Sequence, residues 1–322
     1  MNSRLSCLVA ALALLAASTT TFAQAAFPTR PIRVIVPYPA GGIVDIVARS
    51  VTDSLAKNFK QAMVVEAKPG GNSNIGTAEV ARSAPDGYTW LVTGPAVLVN
   101  PSIYKDAGWN AMRDFKCVGL VVWNQSAAVV PINMPVKTLK ELVDYAKANP
   151  GKLSAGVPGV GTTAHITLEA FMAETGAKMT VVPYRSEPQM LTDLVGGQLD
   201  FACTLTTSPG PHIQAGRLHA LAVTSATRTQ QLPDVPTVEQ AGFPGFEATG
   251  WFALAVPTGT PAEIIAKINA TANAFIRSAK GKEELSKLDS LPAGGTPEET
   301  KAFIAAEVRK WAPIIKAAKI QM

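Results

Sequence analysis

The chain has 322 residues, 47% of them apolar and 16% charged, with 29 Lys and Arg against 24 Asp and Glu and a formal net charge of +5. That length provides for two domains, each with its own core. So mild a basic bias, with no Lys/Arg cluster and no base-stacking aromatics between basic residues, sets nucleic acid aside as a partner, and three histidines and three cysteines without metal-ligand spacing give no metal centre.

Residues 1–25 read as a secretory signal peptide. Arg4 precedes an apolar run over 5–17 broken only by Ser6, a polar stretch over 18–21 follows, and Ala23-Gln24-Ala25 supplies small residues for cleavage after Ala25. The apolar run is about 13 residues, short of the roughly 18 to 20 that cross a bilayer. The mature chain is expected to be exported and soluble. Cys7 leaves with the leader. Cys117 and Cys203 fall in apolar, strand-like runs assigned to different domains and are expected as two free thiols.

The mature sequence alternates short β-rich runs with amphipathic helical segments, the pattern of an α/β protein with mostly parallel sheets flanked by helices. Residues 32–36, apolar but for Arg33, form a strand and 37–42 a glycine turn. Val44, Val47, Val51 and Leu55 then recur at helical spacing, with Arg49, Asp53 and Lys57 on the other face. A strand over 63–66, a helix over 74–82 and strands over 88–93, 117–122 and 127–131 come next. Thr138 and Glu141 open a helix over 138–149 as a capping box, and Pro150-Gly151 closes it. A strand over 153–156 leads through a second glycine turn, 157–162, into a helix ending near Gly176. There follow a strand at 179–183, a helix at 188–195, a strand at 199–204, a short Pro-led helix at 209–215 and a strand at 218–224. A Pro-rich passage over 232–245 carries no periodicity. A strand at 251–256 and three helical segments finish the chain. The run 121–133 and the passage before Trp251 are where the chain can cross between domains. The expected organisation is discontinuous: residues 26–124 with 250–322 as the first domain, and 125–249 inserted as the second.

The two glycine turns are the candidate binding elements. In Pro39-Ala40-Gly41-Gly42-Ile43-Val44-Asp45 the glycines remove side chains where strand becomes helix, so that the first free N–H groups of the helix can approach a ligand and its dipole favours negative charge. Gly159-Val160-Gly161-Thr162-Thr163-Ala164-His165 repeats the arrangement, with Thr162 or Thr163 placed to cap. If both helix ends point into one interdomain cleft, the pair suits a ligand with one or two carboxylates. The second turn also matches G-x-G-x-x-A, but the acidic residue a dinucleotide site needs about 20 residues on is missing, and Val182-Pro183-Tyr184-Arg185 stands there instead.

Catalytic signatures are poor. Ser54-Leu55-Ala56-Lys57 matches S-x-x-K, yet its serine lies inside an amphipathic helix and neither S-D-N nor K-T-G follows. The reading is a binding protein without cofactor, against a rival in which His165 serves an enzyme as general base.

Many short motifs, in order over essentially the whole mature chain, carry a family resemblance. They include Pro31-Ile32-Arg33-Val34-Ile35-Val36-Pro37, Ala40-Gly41-Gly42 with Asp45, Pro85-Asp86-Gly87-Tyr88, Gly161-Thr162 with His165, Val182-Pro183-Tyr184, Gly197-Gln198-Leu199-Asp200 and Pro233-Asp234-Val235-Pro236-Thr237. The chain resembles the periplasmic solute-binding receptors of the tripartite tricarboxylate transporter system, the Bug or TctC-like receptors. The resemblance implies a two-domain periplasmic binding protein fold, type II-like, that closes on a small organic carboxylate held by the two turns and by ordered water. It places Pro39 to Gly42 and Asp45 on the first turn, and Gly159, Val160, Gly161, Thr162, Thr163 and His165 on the second. Thr93 and Gly94 would line the cleft from the first domain. It implies a monomer in the periplasm whose partners are the membrane subunits of such a transporter or, alternatively, a sensor kinase. Three departures bear on specificity: Ile43-Val44 where relatives carry Gly-Thr, Glu66-Ala67-Lys68 where they carry Glu-Asn-Arg, and Tyr184-Arg185-Ser186 where they carry Tyr-Lys-Gly. They suggest an apolar or aromatic ligand body, with Arg185 placed to pair with a second carboxylate.

Overall fold

A computed structural model describes residues 27–104 and 107–318; the signal-peptide reading of residues 1–25 lies outside the described residues. The strands are β1 (Ile32–Val36), β2 (Met63–Ala67), β3 (Thr89–Thr93), β4 (Phe115–Asn124), β5 (Ser126–Pro131), β6 (Ser154–Val157), β7 (Thr180–Pro183), β8 (Phe201–Leu205), β9 (Leu218–Val223), β10 (Gly250–Pro257) and β11 (Ser290–Gly294). The helices are α1 (Ile43–Phe59), α2 (Asn74–Ala81), α3 (Ala96–Ile103), α4 (Ala111–Asp114), α5 (Leu139–Ala148), α6 (Thr163–Thr175), α7 (Glu187–Val195), α8 (Gly210–Gln214), α9 (Ala262–Arg277), α10 (Ala279–Lys287) and α11 (Pro297–Ala317).

These strands build two sheets, one of six in the order β11-β4-β10-β3-β1-β2 and one of five in the order β7-β6-β8-β5-β9. Both are mixed rather than mostly parallel. β1 runs parallel to β2 and β3, and β6 parallel to β7 and β8, as strand–helix–strand units require. The strands that change sheet are antiparallel to their neighbours. β4 leaves the first sheet at Asn124, and β10 re-enters beside it with Gly250 opposite Asn124, so entry and exit share one end and the two strands must oppose. β5 likewise runs against β8 and β9.

Helices cover the faces of the first sheet, which explains the burial of its inner strands. Every residue of β10 is buried, and so are four of the five in β1. In α1 the residues read from spacing, Val44, Val47, Val51 and Leu55, are all buried, each worth roughly 1.5–3 kcal/mol relative to exposure. One apolar cluster continues from Ile35 and Leu91 through Trp251 and Trp311 to Phe171 and Phe201, linking the sheets. α11 contributes to it by packing on α3 and α6. The capping box at Thr138 and Glu141 is present, and Gly176 ends α6 in the left-handed conformation. The sequence reading did not anticipate β11. It carries Pro292 and lies on the sheet edge, where a missing N–H is tolerated. Cys117 and Cys203 lie in different sheets and both are free; burial pushes the Cys203 thiol up to about 12.

Candidate ligand site between the two sheets

The turn after β1 enters α1 through Gly41, whose φ of 77° is a conformation that side chains disfavour. Gly42 is the N-cap and offers no side chain to the helix. Gly41 donates its N–H to Asp45 Oδ2 at 3.0 Å, and Arg49 Nε donates to the same oxygen at 3.0 Å. The Arg49 hydrogen bond holds the buried Asp45 carboxyl below the usual carboxylate range, against the opposing cost of its burial, and the Gly41 N–H adds to that. Asp45 therefore shapes the turn from behind. The leading N–H groups of α1, on Ile43 and Val44, have no carbonyl partner by helix geometry and no side-chain cap.

The turn after β6 is built alike. Gly161, at φ 74°, donates its N–H to His165 Nδ1 at 2.9 Å. Thr162 is the N-cap and accepts from the His165 N–H at 3.4 Å. An accepting Nδ1 puts the ring hydrogen on Nε2, which faces Glu169 at 3.5 Å.

A cavity of about 980 Å³ opens between the sheets, at the upper end of small-molecule sites. One wall comes from elements of the first sheet: Gly41, Gly42, Ile43 and Ile46 at the start of α1, with Lys287 and Leu288. The other comes from the second: Glu187, Pro188, Leu191 and Thr192 of α7, Thr207, Ser208, Pro211, His212 and Gln214 after β8, and Gln231. Glu187 accepts hydrogen bonds from the Thr204 and Ser208 hydroxyls. Burial nonetheless pushes its carboxyl above the usual range, the hydroxyls only partly offsetting that. Burial lowers His212, as does the nearby Arg217.

Where the sheets meet, buried polar groups pair across the junction. The Gln125 carbonyl accepts the Thr206 N–H at 2.9 Å, Gln125 Nε2 donates to Ser225 Oγ at 3.2 Å, and Thr224 Oγ1 donates to the Ala248 carbonyl at 2.6 Å. Thr206 Oγ1 also donates to Asp289, between α10 and β11, whose carboxyl burial pushes up. Gly250 sits so close to Asn124 and Leu205 that a Cβ would lie 3.3 Å from each.

Of the residues read from sequence, Gly41 and Gly42 line the large cavity, with Pro39 and Ala40 exposed beside them. Thr163 lines a separate narrow crevice with Pro95 and Leu98 of the first-sheet side and Glu307 and Trp311 of α11. Gly159, Val160 and Thr162 are half-buried, and Gly161 and His165 buried, at that same helix start. Thr93 and Gly94 are buried at the end of β3, where a Cβ on Gly94 would come within 3.1 Å of the Trp251 carbonyl. Tyr184 donates its hydroxyl to Asp193 at 2.9 Å, and Arg185 is exposed outside the cavity lining. The sequence reading passed over Glu187, the 207–214 turn, Gln231 and Lys287. The rule that ligands gather beyond strand carboxyl ends pointed to the segments after β7 and β8, but only the strand order shows that those segments face α1.

Two α/β sheets joined by crossing strands, with a cavity opened between them, define a two-domain binding protein of the periplasmic type. The chain belongs to the tripartite tricarboxylate transporter family of receptors, whose model matches residues 47–320. Protein BugT of Bordetella pertussis is 33% identical over 294 residues, 90% of this chain and 90% of that one. The structure of R. palustris Rpa4515 with adipate superposes with a TM-score of 0.84 at 32% identity, covering 92% of this chain and 100% of that one. MatC of Rhodopseudomonas palustris with bound malate gives 0.78 at 28% identity, covering 90% and 100%. Among the described residues no helix is long and apolar enough to cross a membrane.

Proposed function

We propose that this chain is a periplasmic receptor that captures a small organic carboxylate between its two sheets by closure about the Asn124–Ser126 and Gly250 crossings and delivers it to the membrane subunits of a tripartite tricarboxylate transporter. The observation that carries the reading is the uncapped start of α1, where Asp45 fixes Gly41 from behind and the free N–H groups border the cavity. Such an end holds an anion without a cationic side chain. Adipate and malate in the two related structures support the ligand class. We place the domain boundaries at the sheet crossings, residues 26–124 with 250–322 and residues 125–249. The second glycine turn, whose Thr163 lines the separate crevice beside α11, would reach the ligand only on closure. We read the chain as a binder, and the rival with His165 as general base has this against it: His165 spends Nδ1 on Gly161 and carries its hydrogen on Nε2, which leaves that ring no lone pair to take a proton.

Calorimetric titration with aliphatic and aromatic carboxylates tests the reading, with Gly42→Val as the control. Gly42 has an ordinary φ of −75°, but a Cβ there would stand 3.2 Å from the Pro39 carbonyl, so branched bulk obstructs the helix end. The wild type should bind at least one of these acids and return it unaltered by mass spectrometry, and the variant should fold without binding. Undiminished affinity in Gly42→Val removes the site, and conversion of the acid makes the protein an enzyme.

A further inference from the structure

Glu187 is the one acid among the described residues lining the cavity, and the capture of a carboxylate makes no use of it. It opens α7 and is half-buried, with the Thr204 and Ser208 hydroxyls on its carboxyl. An ionised carboxylate has about four acceptor sites, so two hydroxyls leave lone pairs to fill. The cation in the same lining does not fill them. Lys287 holds its ammonium 2.7 Å from Glu283, the acid four residues before it, and its side chain is 68% exposed.

The opposite wall of the cavity is the start of α1. A ligand whose carboxylate rests on those N–H groups extends its other end toward α7. A second carboxylate arriving there further disfavours the ionised form of Glu187, whereas an ammonium meets open lone pairs and favours that form. The remaining polar groups of that wall, Thr192, Thr207, Ser208, His212, Gln214 and Gln231, include no Lys or Arg to offset Glu187.

Resting on the carboxylate reading above, we infer that Glu187 is a specificity-determining residue that receives an amine at the far end of the ligand. The ligand class is then an amino-carboxylate with its amine remote from the acid, rather than a symmetric dicarboxylate.

The test is a matched series: the linear dicarboxylates from succinate to pimelate against the ω-amino acids of the same chain lengths, titrated into wild type and Glu187→Gln. Gln keeps the size of the side chain and an oxygen for Thr204 and Ser208. At its best length the wild type should bind the amino acid at least tenfold more tightly than the diacid, and Glu187→Gln should erase that preference. A wild type that prefers the diacid overturns the inference without need of a variant, as does a preference unchanged in Glu187→Gln, and in both cases the receptor reading stands. If neither series nor a simple monocarboxylate such as valerate binds either protein, the carboxylate reading falls and this inference with it.

Discussion

His165 accepts the backbone N–H of Gly161 on Nδ1, and this contact repeats, position for position, the one by which Asp45 holds Gly41. In both turns the donor is the glycine just before the N-cap, at positive φ, and the acceptor is the third residue of the helix. The arrangement extends a capping box one residue upstream. It binds the strand-to-helix corner to its own helix and fixes the direction of the N–H groups that follow. The two turns differ in what remains open: Thr162 caps α6, while α1 has no side-chain cap.

This makes His165 a positioning residue. His165→Ala should leave the N–H of a buried glycine without an acceptor, at a cost of about 1–3 kcal/mol. His165→Asn, which offers an oxygen as Asp45 does in the other turn, should recover more than half of the loss. Thermal unfolding of both variants checks this, and equal losses would show that packing of the ring, not the hydrogen bond, matters here.

Asp289 gives a prediction about pH. Its carboxyl lies 7% exposed between α10 and β11, and burial raises its folded pKa, partly offset by Thr206. A raised acid binds more protons folded than unfolded, so stability falls as pH climbs from its unfolded value of about 3.9 through the folded one. Asp289→Asn carries no such penalty and still offers Thr206 an oxygen. The variant should match wild type near pH 3.5 and exceed it by a margin that grows until pH passes the folded pKa and is level above it, as read from urea midpoints across roughly pH 3.5 to 7. Asp45 works in the opposite direction, its depressed carboxyl withdrawing stability only as pH falls below about 3.9. A difference between Asp289→Asn and wild type that stays constant with pH would mean Asp289 is ionised at no cost in the fold.

Much of this architecture was legible because it rests on local pattern. Val44, Val47, Val51 and Leu55 name their own buried face, and Thr138 with Glu141 announces a helix start that the structure closes with both hydrogen bonds. The crossings at Gln125 and before Gly250 follow from a long apolar run and a Pro-rich passage. β11 escaped notice because Ser290-Leu291-Pro292-Ala293-Gly294 has no alternation, and only pairing with β4 makes it a strand. Glu187 escaped for a different reason. It faces Gly42 from about 145 residues away in the chain, and only the order of strands brings α7 and α1 to one cavity. Asp45 and His165 fall at the site by their place in the two turns, but nothing in spacing tells whether a side chain turns to the ligand or back to its own turn.

The start of α1 allows a test that removes a single hydrogen. Ile43 is the first helical residue, a position where proline's fixed φ fits and its missing N–H breaks no helical bond. Gly42 before it has ψ of 165°, the extended geometry that a residue preceding proline needs. Ile43→Pro should therefore keep the helix while deleting one donor to the anion, a charge-assisted bond worth about 1.5–3 kcal/mol, or roughly ten- to a hundredfold in affinity. Because Ile43 also packs its side chain against the core, Ile43→Ala serves as the reference with the N–H retained. Calorimetry should show Ile43→Ala binding near wild-type strength and Ile43→Pro binding far more weakly, with closely similar melting temperatures. Equal affinities in the two variants would mean that the carboxylate rests elsewhere in the cavity and that the open end of α1 serves the fold alone.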